Sequence, residues 1–352
     1  RRQRQMCIRD SEGSGLTTIE LPTSVSTIGM YAFRYCTSLE SIVIPETATN
    51  IGKGAFWQCT ALSDVDIRSK TTEFAEYLFY GCESLTEITV PASVSTIASN
   101  AFSGTSLEAI DVDPRSNYFK SIDGILYTAD GTGIVTIPAM KVIVDFVVPN
   151  TVTSIGDRLF YGITSLQSVT FEAGRTEPIT IGEQAFAFCS QLNAIELPQN
   201  LASIGKSAFA NIGLTTVIIP DKVTDIGENC FSTCNQLSSI TFGAAIKNVG
   251  SNVVGSCPLL TSIVWNATKA NDFNSSFLSY DNQIETFTFG DNVEYIPDNL
   301  CEQMSKLTSV TIPDKVTTIG KNAFGRCSGL TSVTIGNSVK EIRQGAFYGC
   351  NR

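Results

Sequence analysis

Apolar side chains recur at fixed intervals from Leu16 onward. The intervals follow one pattern of 23 positions, L-x-x-I-x-I-P-x-x-V-x-x-I-G-x-x-A-F-x-x-C-x-x, numbered here from its first leucine as position 1. We count fourteen repeats, which begin at Leu16, Leu39, Leu62, Leu85, Leu107, Ile143, Leu166, Leu192, Leu214, Leu237, Leu260, Ile284, Leu307 and Leu330. Nine of them have 23 residues, and the others have 22, 36, 26, 22 and 24. A fixed period of this length is typical of a solenoid, in which each repeat buries its apolar face only against its neighbours.

Each half of the repeat predicts a different element. Positions 4 to 6 alternate in the manner of a strand, as in Ile42-Val43-Ile44, and a proline at position 7 ends it because proline cannot donate to a ladder. In the second half, Ile319 and Ala323 lie four apart while Phe324 and Cys327 lie three apart, which fits one or two helical turns. The pattern therefore predicts an α/β repeat solenoid, with a parallel strand-lined face and short helices or turns on the other face.

Composition excludes several functions. The 352 residues carry 24 Lys+Arg against 34 Asp+Glu, a formal charge of −10, and no histidine. Without histidine, Ser-His-Asp and Cys-His catalysis and His-containing zinc sites cannot be built. The acidic balance argues against a nucleic-acid partner, which needs a basic stripe, and no apolar run is long enough for a membrane span. We expect no enzyme, no cofactor and no metal.

The cysteines have two interpretations. Eight of the 11 occupy position 21: Cys36, Cys59, Cys82, Cys189, Cys234, Cys257, Cys327 and Cys350. They predict either a ladder of small buried thiols or, where neighbours run in register, disulfides between stacked repeats. Apolar residues replace cysteine at this position elsewhere, which favours the thiol ladder. The phenylalanines of position 18 form a second ladder, which we interpret as core packing.

Side chains at positions 3 and 5 of the strand are the better binding candidates, because they point away from the core. They are rich in Ser and Thr, with an acidic cluster at Asp64, Asp66, Glu87 and Asp111. The cluster is either part of a generic solvated face or a binding surface for a basic partner or a cation. A glycosidase site, which also uses paired carboxylates, lacks any sign of a pocket here.

The repeat that begins at Leu260 departs most from the pattern. It lacks the I-G-x-x-A-F motif and holds Trp265, Phe273, Phe277 and Tyr280. This divergence is either drift or a local recognition site, in which Trp265, Phe273 and Tyr280 would anchor a partner.

The motif L-x-x-I-x-I-P…V-x-x-I-G-x-x-A-F-x-x-C, almost intact at 214–236 and 307–329, resembles the leucine-rich repeats of the BspA-like class. That class is found in surface antigens of anaerobic bacteria and of some mucosal parasites. The resemblance covers residues 16–352 and includes a hairpin insertion at about 113–142, where Asp123-Gly124 is itself a two-residue hairpin signal. It implies surface exposure and adhesion to host matrix proteins or other cells.

These observations lead to three functional hypotheses. The first is a non-enzymatic cell-surface or secreted scaffold, a monomeric array, that binds extracellular-matrix or cell-surface proteins through its strand face and hairpin. The alternatives are a structural spacer that presents another domain and a glycan-binding module.

The two ends of the chain differ from each other: the first lies outside the repeat pattern, and the last follows it. Residues 1–15 do not fit the pattern, and RRQRQMCIRDS resembles translated sequencing-adapter DNA, the alternative being an ordinary disordered tail. The repeat at Leu330 keeps its apolar positions and would expose a core face. We therefore expect a fragment of a longer protein, in which residues 16–352 form a single solenoid.

Overall fold

A computed structural model describes residues 15–273 and 283–351, in two compact units divided after Val142. The strands of the first unit are β1 (Thr18–Ile19), β2 (Thr27–Ile28), β3 (Ser41–Ile44), β4 (Asn50–Ile51), β5 (Asp64–Ile67), β6 (Glu73–Phe74), β7 (Glu87–Val90), β8 (Thr96–Ile97), β9 (Ala109–Val112), β10 (Phe119–Ile122), β11 (Ile125–Thr128) and β12 (Ile134–Thr136).

The second unit continues the same alternation of longer and shorter strands. They are β13 (Asp145–Val148), β14 (Ser154–Ile155), β15 (Ser168–Phe171), β16 (Ile179–Ile181), β17 (Ala194–Ile195), β18 (Leu201–Ile204), β19 (Thr216–Ile218), β20 (Asp225–Ile226), β21 (Ser239–Phe242), β22 (Asn248–Val249), β23 (Ser262–Trp265), β24 (Thr286–Phe289), β25 (Tyr295–Ile296), β26 (Ser309–Ile312), β27 (Thr318–Ile319), β28 (Ser332–Ile335) and β29 (Glu341–Ile342).

Each unit is a β-solenoid, and one repeat makes one coil. The strand predicted at the start of the repeat pairs in parallel with its equivalent in the next coil, as in β3 with β5 and β13 with β15. A second, shorter strand that the sequence reading missed forms its own parallel ladder at positions 12 and 13, as in the series β14-β16-β18-β20-β22. Between the two strands, the carbonyl of the position 7 proline accepts the N–H three residues on, as between Val223 and Pro220 at 3.2 Å.

The described residues form no helix, so the α/β class with short helices is not confirmed, and the turns that the prediction allowed in their place are found instead. Among the described residues, every non-glycine residue with positive φ except Asp123 lies at position 16 or 20 of the repeat, as do Tyr31 and Tyr35 with φ of 57° and 59°. A left-handed residue at every fourth position interrupts an α-helix. The N–H groups of Tyr31, Phe33 and Tyr35 donate instead to Lys53, Ala55 and Trp57 of the next coil at 2.8–3.0 Å. The second half of the repeat is therefore a chain of turns bonded to the neighbouring coil.

Stacked phenylalanines fill the core as predicted. Phe160, Phe186, Phe209 and Phe231 are buried, and successive ring centroids lie 4.9–5.3 Å apart with nearly parallel planes. The first unit repeats this arrangement from Phe33 to Phe102, and Phe277 lies outside the described residues.

The predicted hairpin is present in the first unit. β10 pairs antiparallel with β11 across Asp123 and Gly124, whose φ values of 50° and 71° suit a tight two-residue turn. β12 adds a third strand after the turn at Asp130-Gly131. The hairpin docks on β9, since the Ile110 N–H donates to the Gly124 carbonyl at 2.9 Å and a Cβ on Gly124 would lie 2.9 Å from the Ala109 Cβ.

Candidate functional site

Four carboxylates lie on the outer surface of three neighbouring strands in the first unit. We name this surface the acidic strand face, and it consists of Asp64, Asp66, Glu87 and Asp111. Asp64 and Asp66 lie on β5, Glu87 on β7 and Asp111 on β9, with β7 and β9 in register and β5 next to β7. The alternation of the strands carries these side chains outward, because the residues between them, such as Ile88 and Ile110, are buried. Asp64, Glu87 and Asp111 are exposed, as predicted from positions 3 and 5.

The acidic strand face keeps most of its negative charge. Asp66 pairs with Arg68 at 2.7 Å, whereas the ion pairs found among the described residues include none for Asp64, Glu87 or Asp111. Exposed ion pairs such as Asp66–Arg68 typically contribute less than about 1 kcal/mol to stability, so Asp66 can exchange Arg68 for a cation of a partner. This surface can attract and orient a basic partner.

Two of the three aromatic anchors predicted in the Leu260 repeat are not on the surface. Trp265 is wholly buried and Phe273 is buried, with their ring centroids 6.0 Å apart. Trp265 occupies position 6, an inward-facing position in other coils, as Ile44 and Ile312 show. The structure therefore places these two rings in the core, and Tyr280 lies outside the described residues.

Nine of the ten cysteines in the described residues are buried thiols and Cys350 is half-buried, in agreement with the first interpretation. Cys36, Cys59 and Cys82, which run in register, form no disulfide. The Sγ atoms of Cys59, Cys82 and Cys189 donate to the carbonyls of Phe33, Phe56 and Phe160 in the preceding coil, at 2.9–3.1 Å. Thus the position 21 cysteine both fills the core and links adjacent coils, which explains a small thiol rather than alanine there.

Burial governs the reactivity expected of these thiols. Burial raises the pKa of Cys82, Cys189 and Cys327 to about 12, and it also raises the pKa of the half-buried Cys350. Because the thiolate is the nucleophile, a raised pKa lowers the reactive fraction at neutral and mildly alkaline pH, and burial blocks access as well.

We therefore expect iodoacetamide at about pH 8 to label Cys350 well before Cys82, Cys189 or Cys327. Mass spectrometry of tryptic peptides gives the extent of labelling at each cysteine over time. The control is the same reaction in concentrated urea, where all four should label at similar rates. Equal labelling of all four in the folded protein would contradict the buried ladder.

Sequence reasoning missed one cluster of half-buried aromatic residues on the turn side of the first three coils. Tyr31, Tyr35, Trp57, Tyr77 and Tyr80 occupy positions 16, 19 and 20, and together with Arg34 they are named here the aromatic patch. Trp57 lies at the centre, with ring centroids 5.8 Å from Tyr31, 4.8 Å from Tyr77 and 5.0 Å from Tyr80. The available signal was the excess of aromatic residues at these variable positions of adjacent repeats.

The described residues hold neither a cluster suited to a metal ion nor a membrane-spanning helix. No group of three or more Cys, Asp or Glu side chains in residues 15–273 and 283–351 is arranged to hold a metal ion. Nor do these residues include a helix long and apolar enough to cross a bilayer.

Parallel ladders that pair equivalent strands of successive repeats define the class as a leucine-rich-repeat solenoid. A family model for the BspA type leucine rich repeat region matches residues 11–122, 140–177, 175–278 and 266–352. The chain belongs to this BspA-type leucine-rich-repeat family, which confirms the resemblance drawn from the sequence.

Solved structures share the fold at low sequence identity. A leucine-rich repeat protein from Bacteroides ovatus is 24% identical with a TM-score of 0.66, over 95% of this chain and 85% of that one. The pneumococcal vaccine antigen PcpA is 21% identical with a TM-score of 0.60, over 93% of this chain and 78% of that one. No curated protein matches the chain by sequence.

Proposed function

We propose that this protein is a non-enzymatic scaffold, exposed at the cell surface or secreted, that binds a basic surface of an extracellular-matrix or cell-surface protein. The single observation that carries the proposal is the acidic strand face, where three exposed carboxylates lie on consecutive coils with no ion pair among the described residues. Its membership of the BspA-type family and the pneumococcal antigen's similar fold support a surface location.

Shape and charge both suit a protein partner. The parallel ladders hold adjacent strands about 5 Å apart, with Glu87 opposite Ala109 and Asp111 opposite Thr89, so little backbone freedom is lost on binding. Carboxylates on an open strand surface act mainly by steering a basic partner and fixing its register. The protein's formal charge of −10 extends this attraction beyond the contact itself.

We expect the triple variant Asp64→Asn, Asp66→Asn, Glu87→Gln to bind its matrix partner at least about tenfold more weakly, because it loses the charges that face the partner. Biolayer interferometry against a panel of immobilised extracellular-matrix proteins first identifies a binder and then measures the dissociation constant of each variant. Raising the salt concentration should weaken the parent more than the triple variant.

A matched control removes the same charge elsewhere. Glu83, Glu108 and Glu177 are exposed and lie off positions 3 and 5, so their replacement by glutamine should leave the dissociation constant nearly unchanged. If both triple variants bind equally well, or if the parent binds no matrix protein, the proposed function is wrong.

A further inference from the structure

The aromatic patch is not required by the fold. Its central ladder is position 19, which carries Arg34, Trp57 and Tyr80 in the first three coils. Five other, equally well-formed coils hold a small residue at this position: Ser103, Ala210, Ser232, Gly255 and Gly325. The coil therefore forms without a large side chain at position 19, and the rings of Trp57 and Tyr80 add half-exposed aromatic surface that the fold does not need.

Arg34 carries a positive charge that no carboxylate neutralises within the described part of the chain. Its guanidinium carbon lies 4.6 Å from the Tyr35 ring centroid, 5.1 Å from Trp57 and 5.3 Å from Tyr31. Its Nη2 donates to the Tyr35 hydroxyl at 3.2 Å, while its buried Nε has no hydrogen-bond partner there. By contrast, the neighbouring Lys53 is paired with Glu76. Arg34 is thus the free cation of the patch, held in place by the rings around it.

The patch is pre-organised by the backbone. Gly54 takes position 16 between the coils of Tyr31 and Tyr77, and a Cβ there would lie 2.4 Å from Cε1 of the Tyr31 ring. The absence of that Cβ lets Tyr31 approach Trp57 edge-on. Backbone hydrogen bonds from Tyr35 to Trp57 and from Gln58 to Tyr80 fix the three coils in register, at 2.8 and 2.7 Å.

The geometry of the rings favours a polypeptide. Neighbouring rings around Trp57 and Tyr80 are tilted by 37° to 75°, so they present slots between rings rather than one flat platform for a sugar. Trp, Tyr and Arg are the residues that most often dominate protein-binding energy. An arginine with remaining N–H donors recognises a carboxylate by paired hydrogen bonds.

We propose that the aromatic patch is a second protein-binding surface, which takes an acidic extended segment of a partner. A carboxylate of that segment pairs with Arg34, and an apolar side chain next to it enters the slot beside Trp57. This surface is separate from the acidic strand face and takes the opposite charge, so one scaffold engages partners of two kinds.

Selection of a phage-displayed random 12-residue peptide library on the intact protein tests the proposal. We expect the enriched peptides to contain Asp or Glu beside an apolar residue. Their binding to the parent and to each variant is measured by biolayer interferometry, and in the parent the fluorescence of Trp57 should also change, since Trp265, the other tryptophan, is wholly buried and gives a constant background. Arg34→Gln and Trp57→Ser should each weaken binding of the enriched peptides at least about tenfold.

Two variants serve as matched controls. Arg158 lies 4.3 Å over the Tyr161 ring and Tyr348 is an exposed aromatic residue at position 19, so Arg158→Gln and Tyr348→Ser should change binding by less than about twofold. Because serine occurs at position 19 in other coils, Trp57→Ser should fold. If it does not melt cooperatively, Arg34→Gln still tests the proposal on its own. Peptides without an acidic residue, equal binding to Arg34→Gln, or no enrichment at all would overturn the proposal. Matrix binding through the acidic strand face should survive Arg34→Gln, so the two proposals fail separately.

Discussion

Replacing Phe186 by alanine is expected to lower the free energy of unfolding by about 3–5 kcal/mol. Phe186 is wholly buried and stacks between Phe160 and Phe209, with centroid distances of 4.9 and 5.2 Å. Removing the ring loses its burial and leaves a cavity, and it also breaks the ring contact with both neighbouring coils. Urea denaturation followed by circular dichroism measures the change.

The control lies two residues away. Phe188 is 45% exposed at position 20, where its ring contacts Tyr161 at 5.3 Å. Phe188→Ala should change the free energy of unfolding by no more than about 1 kcal/mol, since it creates no cavity. Similar losses for both variants would show that the position 18 ladder does not hold the coils together.

Replacing Gly227 by alanine is expected to cost about 1–3 kcal/mol through overpacking. Gly227 is the glycine of position 14, and a Cβ there would lie 2.4 Å from the Lys206 nitrogen and 2.5 Å from the Gly205 carbonyl carbon. These are backbone atoms of the preceding coil, so relief requires the coils to separate. The Gly227 N–H donates to Ile204 across the same gap at 2.8 Å, and separation would weaken that bond too.

Gly29 occupies the same position 14 and provides the control, because a Cβ on it meets nothing within 4 Å. Gly29→Ala should therefore leave the thermal midpoint unchanged or raise it slightly by restricting the unfolded chain. Ala75 and Ala98 hold position 14 in two adjacent coils, which is why we expect Gly227→Ala to remain folded. Equal changes in the thermal midpoint of the two variants would mean that the close approach of adjacent coils does not explain the glycine at position 227.

The sequence predicted the strand and the core, and it failed in the second half of the repeat. Apolar residues at positions 4 and 6 flank an outward-facing position 5, and proline follows at position 7. This pattern fits a strand and no other element. Apolar side chains spaced three and four apart fit a helix, but they also fit turns with a left-handed residue at every fourth position. Asn229, Asn252 and Asn299 at position 16, together with Gly345 and Gly349 in the last repeat, were the signal for left-handed backbone.

The sequence placed some candidate binding residues correctly and others not, for a similar reason. Counting positions along a strand placed Asp64, Glu87 and Asp111 outside, and the same count applied to Trp265 would have placed it at the inward position 6. The aromatic patch escaped notice because its residues come from three repeats and meet only through the stacking. A single repeat gives no sign that Tyr31 reaches Trp57, since the space for it depends on Gly54.

Carboxyl footprinting tests the binding role of the acidic strand face most directly. Carbodiimide-activated labelling of Asp and Glu, read by mass spectrometry, is compared for the protein alone and bound to the matrix protein that the screen identifies. We predict that bound partner reduces labelling of Asp64, Glu87 and Asp111 several-fold, while Glu83, Glu108 and Glu177 label as before. Unchanged labelling of Asp64, Glu87 and Asp111 in the complex would contradict binding through this face.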